Sequence, residues 1–91
     1  IREYQVAAIV QSCDENGLAL CSLRNKFMTG EELEIVGPDL RPFPVTVPQM
    51  QDLDGQALTE PRKPEMLFYM QLPCPVPPYS ILRKKVDLSA K

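Results

Sequence analysis

Histidine and tryptophan are both absent from this chain of 91 residues. Histidine is the side chain that most often acts as a general base at neutral pH, and it is a frequent zinc ligand. Its absence also removes the common pairs of a nucleophile with a histidine base. We therefore expect no catalytic residue, no cofactor-binding residue and no metal ligand in this segment, so that it is not an enzyme by itself.

The chain has three cysteines and no long apolar run. The three cysteines, Cys13, Cys21 and Cys74, are too far apart for a C-x-x-C metal motif, and an odd number makes a poor disulfide framework. We interpret them as reduced thiols, which predicts a cytoplasmic location. The chain starts at Ile1 and has no apolar run of membrane-spanning length. We expect a piece of a larger soluble protein with no membrane contact.

Acidic and basic residues are unevenly distributed, although the net charge is only −2. Residues 31–60 contain seven acids and one base, whereas residues 61–91 contain six bases and two acids. A basic strip on such a domain would contact RNA phosphates or an acidic partner. The alternative is an ordinary solvated surface. The candidate contact residues are Arg24, Lys26, Arg83, Lys84 and Lys85.

Short strands with frequent turn signals dominate the pattern. Asp14-Glu15-Asn16-Gly17 separates two apolar runs, which is typical of a β-hairpin. Leu33 and Ile35 alternate with Glu32 and Glu34, which predicts a strand with one buried face. Further strands are predicted over 43–47, 57–60, 66–72 and 79–86, with one helical turn over 47–53. Prolines in and beside the 43–47 strand predict that it is short or lies on an edge.

These elements predict an all-β fold, a small six- or seven-stranded β-barrel formed by residues 1–86, with 87–91 as a frayed tail. The segment 24–38 runs from basic residues through a turn glycine and an acidic-apolar strand to Gly37-Pro38. This order resembles domain II of translation elongation GTPases, a barrel that contacts RNA and neighbouring domains.

The order and spacing of several motifs resemble the C-terminal domain of the collagenase-like peptidase U32 family. They are LRNKF at 23–27, GEELEI at 30–35, DLDG at 52–55 and the proline-rich segment 72–84 that ends in Leu-Arg-Lys. Cys74 and Pro77 depart from the more polar residues expected there. The resemblance implies a non-catalytic domain attached to an upstream catalytic domain that carries the family's functional residues.

Relatives of the family include proteins described as proteases and prephenate-dependent RNA hydroxylases. The resemblance therefore implies that the domain docks on the upstream catalytic domain and helps bind a macromolecular substrate, either polypeptide or RNA such as tRNA or rRNA. The alternative is a structural or oligomerisation module without substrate contact. Its partner would then cover exposed apolar side chains, for which the candidates are Phe27, Met28 and Leu40.

Overall fold

The computed structural model describes residues 2–38, 40–61 and 63–87, and it contains eight strands. Their bounds are β1 Arg2–Cys13, β2 Leu18–Leu23, β3 Glu32–Gly37, β4 Leu40–Thr46, β5 Met50–Gln51, β6 Ala57–Leu58, β7 Leu67–Gln71 and β8 Ile81–Asp87. The described residues form no helix, so the all-β prediction is confirmed. Nothing in this part of the chain is a helix of the length and apolar character needed to cross a bilayer.

All eight strands belong to one antiparallel sheet in the order β4-β3-β8-β1-β2-β7-β5-β6. The long strand β1 pairs with β8 on one side and with β2 on the other. Its pairing shifts between Val6 and Ala8 and again between Val10 and Ser12. Each shift is a bulge, and bulges bend and twist a strand. The bent β1 thereby lets the sheet curl around one core.

The predicted six- or seven-stranded barrel was wrong in strand number and in closure. Strands β4 and β6 lie at the two ends of the sheet order and do not pair with each other. Strand β4 contains Pro42 and Pro44, which have no amide hydrogen to offer to a further strand, and β6 has only two residues. The loop between β2 and β3 lies between these two strands instead. Thr29 N donates to Thr59 O, just after β6, and Gly30 N donates to Val47 O, just after β4.

The two clearest sequence patterns are confirmed. Leu33 and Ile35 are buried in the core, as the alternation in β3 predicted. The Asp14–Gly17 segment joins β1 to β2, with Asp14 Oδ1 accepting hydrogen bonds of 2.9 Å from the amides of Asn16 and Leu18. The short strand predicted at 57–60 exists as β6, whereas the helical turn predicted at 47–53 was wrong. Met50 is buried there and pairs with Leu58, because an extended segment brings its side chain into the core.

Phe27 is a core residue, so its prediction as an exposed partner contact was wrong. Its side chain is only 1% exposed, and its ring lies 5.8 Å from that of Phe68 in β7. The ring anchors the loop between β2 and β3 on the sheet. Met28 is 44% exposed, as predicted, and the side chain of Leu40 lies outside the described part of the structure. Of the predicted tail 87–91, Asp87 ends β8, and 88–91 also lie outside the described residues.

Candidate functional site

The five cations singled out from the sequence lie on different faces of the domain. In β8, Leu82 is buried in the core, so Lys84 lies on the inner side of the sheet, beyond the end of the core, while Arg83 and Lys85 lie on the outer side. Arg24 and Lys26 lie in the loop after β2. A hydrogen bond joins this loop to β8, because Lys84 Nζ donates to the carbonyl oxygen of Lys26 over 3.4 Å.

Arg83 is held by two neighbours on the outer face. Its Nε donates to Glu34 Oε1 over 2.8 Å, and its Nη2 lies 2.6 Å from the same oxygen. Its guanidinium carbon is 3.7 Å from the centroid of the Tyr4 ring, within the range of a cation–π contact. These contacts fix the orientation of Arg83 and neutralise its charge locally.

Two more of the five cations also have acidic partners. Lys84 Nζ lies 3.1 Å from Glu31 Oε1, and Arg24 Nη1 lies 3.8 Å from Glu65 Oε2. Ion pairs as exposed as that of Arg24 contribute little to stability, but they reduce the positive charge available to a phosphate. Among the described residues, Lys26 and Lys85 form no ion pair with a carboxylate.

A shallow groove of about 170 Å³ runs along the outer face beside Arg83. Two carboxylates and two cations contribute to its wall, so its formal charge is balanced. The lining residues are Tyr4, Glu32, Leu33, Glu34, Pro44, Arg83 and Lys85. Arg83 already covers one face of the Tyr4 ring, and Lys85 is the lining cation without an ion-pair partner among the described residues.

A second concave surface was not predicted from the sequence. It is a wide cleft of about 550 Å³ beside the β5–β6 hairpin and the start of β7. Its lining residues are Asp52, Leu53, Asp54, Leu58, Glu60, Lys63, Pro64, Met66 and Leu67. We call this surface the hairpin cleft. The sequence signal that would have indicated it is Leu53, an apolar residue inside the turn Asp52-Leu53-Asp54-Gly55.

The three cysteines show no feature of a catalytic nucleophile in the part of the chain that the structure describes. Burial, together with Cys13 nearby, raises the pKa of Cys21 to about 12, so its thiol is protonated at neutral pH and is a poor nucleophile. All three cysteines are free thiols, and Cys74 is exposed. Within the described ranges, no three acidic or cysteine side chains come together in a way that suits a metal ion.

Comparison with known proteins gives a consistent set of relatives. The family described as Peptidase family U32 C-terminal domain matches residues 2–83. The chain is similar to tRNA hydroxylation protein P1 of Bacillus subtilis strain 168, with 29% identity over 82 residues. That match covers 89% of this chain and 19% of the relative, so the chain spans about one fifth of the length of that protein.

Two crystal structures share the fold. Both are of the C-terminal domain of a U32 peptidase-family protein from Geobacillus thermoleovorans. The selenomethionine variant has a TM-score of 0.83 and 32% identity, and the match covers 88% of this chain and 99% of that one. The other has a TM-score of 0.82 and 28% identity, covering 91% of this chain and 93% of that one. Because those domains were crystallised by themselves, a domain of this kind folds without the remainder of its protein.

Proposed function

Because this chain belongs to the family of U32 peptidase C-terminal domains, we propose that it is a non-catalytic accessory domain of a longer enzyme. In this role it docks on an upstream catalytic domain and helps bind a macromolecular substrate. The longer protein then carries the reaction, either as a hydrolase of polypeptides or as an RNA-modifying enzyme, in the cytoplasm. Likeness to domain II of translation elongation GTPases stays a prediction.

RNA is the favoured substrate, and the observation that carries this choice is the similarity to a tRNA hydroxylation protein. The ion pairs of the predicted cations restrict where phosphates would bind. Arg24, Arg83 and Lys84 have acidic partners, so Lys26 and Lys85 are the predicted cations best able to take a phosphate. Two such contacts give weak binding with a modest salt dependence, which is adequate for a domain that assists a catalytic domain.

We expect the double variant Lys26→Glu, Lys85→Glu of the isolated domain to bind tRNA about tenfold more weakly at low salt than the parent domain. A plot of log affinity against log salt concentration has a negative slope, and its magnitude should decrease by about 1.5. Each lost phosphate contact reduces that magnitude by roughly 0.7–0.9. Fluorescence anisotropy with labelled tRNA across a salt series measures both quantities.

Lys63→Glu is the control, because it reverses an exposed charge that lines the hairpin cleft and lies in neither of the segments that carry Lys26 and Lys85. It should leave the salt slope nearly unchanged. A loss of log affinity by Lys63→Glu about half as large as that of the double variant would show that binding depends on overall charge alone, because the double variant changes twice as much charge. Undetectable tRNA binding by the parent domain at low salt would refute the RNA part of the proposal.

A structural or oligomerisation module is the second candidate. The observation in its favour is the exposed apolar surface of the domain, which includes Met28, Leu53 and Leu67. A concentration-dependent change in mass, measured for the isolated domain by analytical ultracentrifugation, would support this candidate. A monomer at all concentrations would leave the accessory role as the better account.

A further inference from the structure

The hairpin cleft presents two exposed large apolar side chains. Leu53 is 57% exposed at the tip of the β5–β6 hairpin, and Leu67 is 38% exposed at the start of β7. Leu58 and Met66, both half-buried, complete the apolar floor between them. Large apolar side chains gathered in one concave surface are typical of an interaction site.

The turn that carries Leu53 is built by other residues. Asp52 Oδ1 accepts from the amide of Asp54 over 2.9 Å and from that of Gln56 over 3.0 Å. The amide of Gly55 donates to the carbonyl oxygen of Asp52 over 3.0 Å. None of these bonds involves the side chain at position 53. A polar residue would suit the turn equally well, so the exposed leucine points to a contact outside the described fold.

The cleft is fixed in place by the main sheet. The amide of Leu23 donates to the carbonyl oxygen of Met66 over 2.9 Å, and the amide of Met66 donates to that of Lys63 over 3.1 Å. Leu67 pairs with Ser22 in the β2–β7 ladder. A preformed surface binds with a smaller loss of conformational entropy than a mobile one.

The rim of the cleft is acidic. Asp52 and Asp54 line it beside the base Lys63, so the two hairpin carboxylates outnumber that cation. Complementary charge favours an occupant with lysine or arginine beside its apolar residues, and it disfavours RNA.

We propose that the hairpin cleft binds a protein segment with a large apolar side chain next to lysine or arginine, and that this segment belongs to the remainder of the same polypeptide. This inference rests on the docking part of the proposed function and assigns it a surface. The cleft has nine lining residues, whereas an interface between separate proteins usually has about 20–30 residues on each side. A tethered segment needs less area, because covalent linkage supplies an effective concentration in the millimolar range. The relative of known role is about five times as long as the matched region, which provides such a remainder.

Hydrogen exchange tests this assignment. The amides of residues 50–58 are followed by mass spectrometry in the isolated domain and in the longer protein that contains it. We expect at least about tenfold slower exchange of these amides in the longer protein, because docking covers the hairpin. The variant Leu53→Asp, Leu67→Glu should abolish that difference, and Asp54→Lys should reduce it.

Tyr79→Asp is the matched control, since Tyr79 is 72% exposed and lies in the loop before β8, outside the cleft lining. This control should keep the full protection. Equal exchange of the hairpin in both proteins would overturn the proposal, and so would protection that appears in the isolated domain at high concentration, which indicates a second copy as the occupant. Because tRNA binding is measured on the isolated domain, failure of docking and failure of RNA binding are separate results.

Discussion

Replacement of Phe68 by alanine is expected to lower the free energy of unfolding by about 3–5 kcal/mol. Phe68 is fully buried in β7 and packs against the ring of Phe27, so the substitution opens a cavity in the core. It also releases the anchor of the loop that lies between the two ends of the sheet. Native proteins have a total free energy of unfolding of about 5–15 kcal/mol, so this loss is a large fraction of the domain's stability.

Urea unfolding followed by circular dichroism measures this change, with Tyr69→Ala as the matched control. Tyr69 is the next residue in the same strand, but it lies on the opposite face and is only half-buried. Its loss should destabilise the domain much less than loss of Phe68. A larger cost for Tyr69→Ala than for Phe68→Ala would contradict the assignment of the core to the inner face of β7.

Gly17→Ala is expected to destabilise the domain by about 2–3 kcal/mol. Gly17 has a φ of +87°, a left-handed conformation that costs an L-residue about 1 kcal/mol or more. A Cβ added there would also lie 2.7 Å from the carbonyl oxygen of Leu72, a backbone atom that cannot easily move away. The amide of Leu72 itself donates to Gly17 O over 2.8 Å, so both sides of this contact are fixed.

Gly30→Ala separates the two causes. Gly30 has a φ of +98°, but a Cβ added there meets no atom within 4 Å. Its substitution should therefore show only the conformational cost, about 1 kcal/mol. Thermal unfolding of the two variants gives the difference, which measures the clash with Leu72. Equal destabilisation by both substitutions would show that the close approach at Gly17 is relieved without cost.

Local patterns predicted much of the fold. The alternation of Leu33 and Ile35 with Glu32 and Glu34 has the period of a half-buried strand, and Asp14–Gly17 contains the side-chain acceptor and the glycine that its turn needs. Both features depend on residues close in sequence, so the sequence alone specifies them. The same alternation, applied to residues 83–85, places Lys84 on the opposite face of a strand from Arg83 and Lys85.

Features that depend on distant residues were missed. Arg83 and Glu34 are 49 residues apart, so their ion pair could not be predicted from either segment alone. Phe27 is flanked by Lys26 and Met28 and has the sequence context of an exposed loop, yet the ring of Phe68 takes it into the core. The prediction of a closed barrel was wrong. A closed barrel requires β4 to pair with β6, but the loop that contains Thr29 lies between these strands.

The most direct test of the accessory role is the affinity of the longer protein for tRNA before and after deletion of the domain, at low and at physiological salt. We predict that deletion weakens binding about tenfold at low salt and less at physiological salt. The intact protein carrying Lys26→Glu and Lys85→Glu should behave like the deletion. Unchanged tRNA affinity after deletion at both salt concentrations would contradict the claim that this domain helps bind RNA.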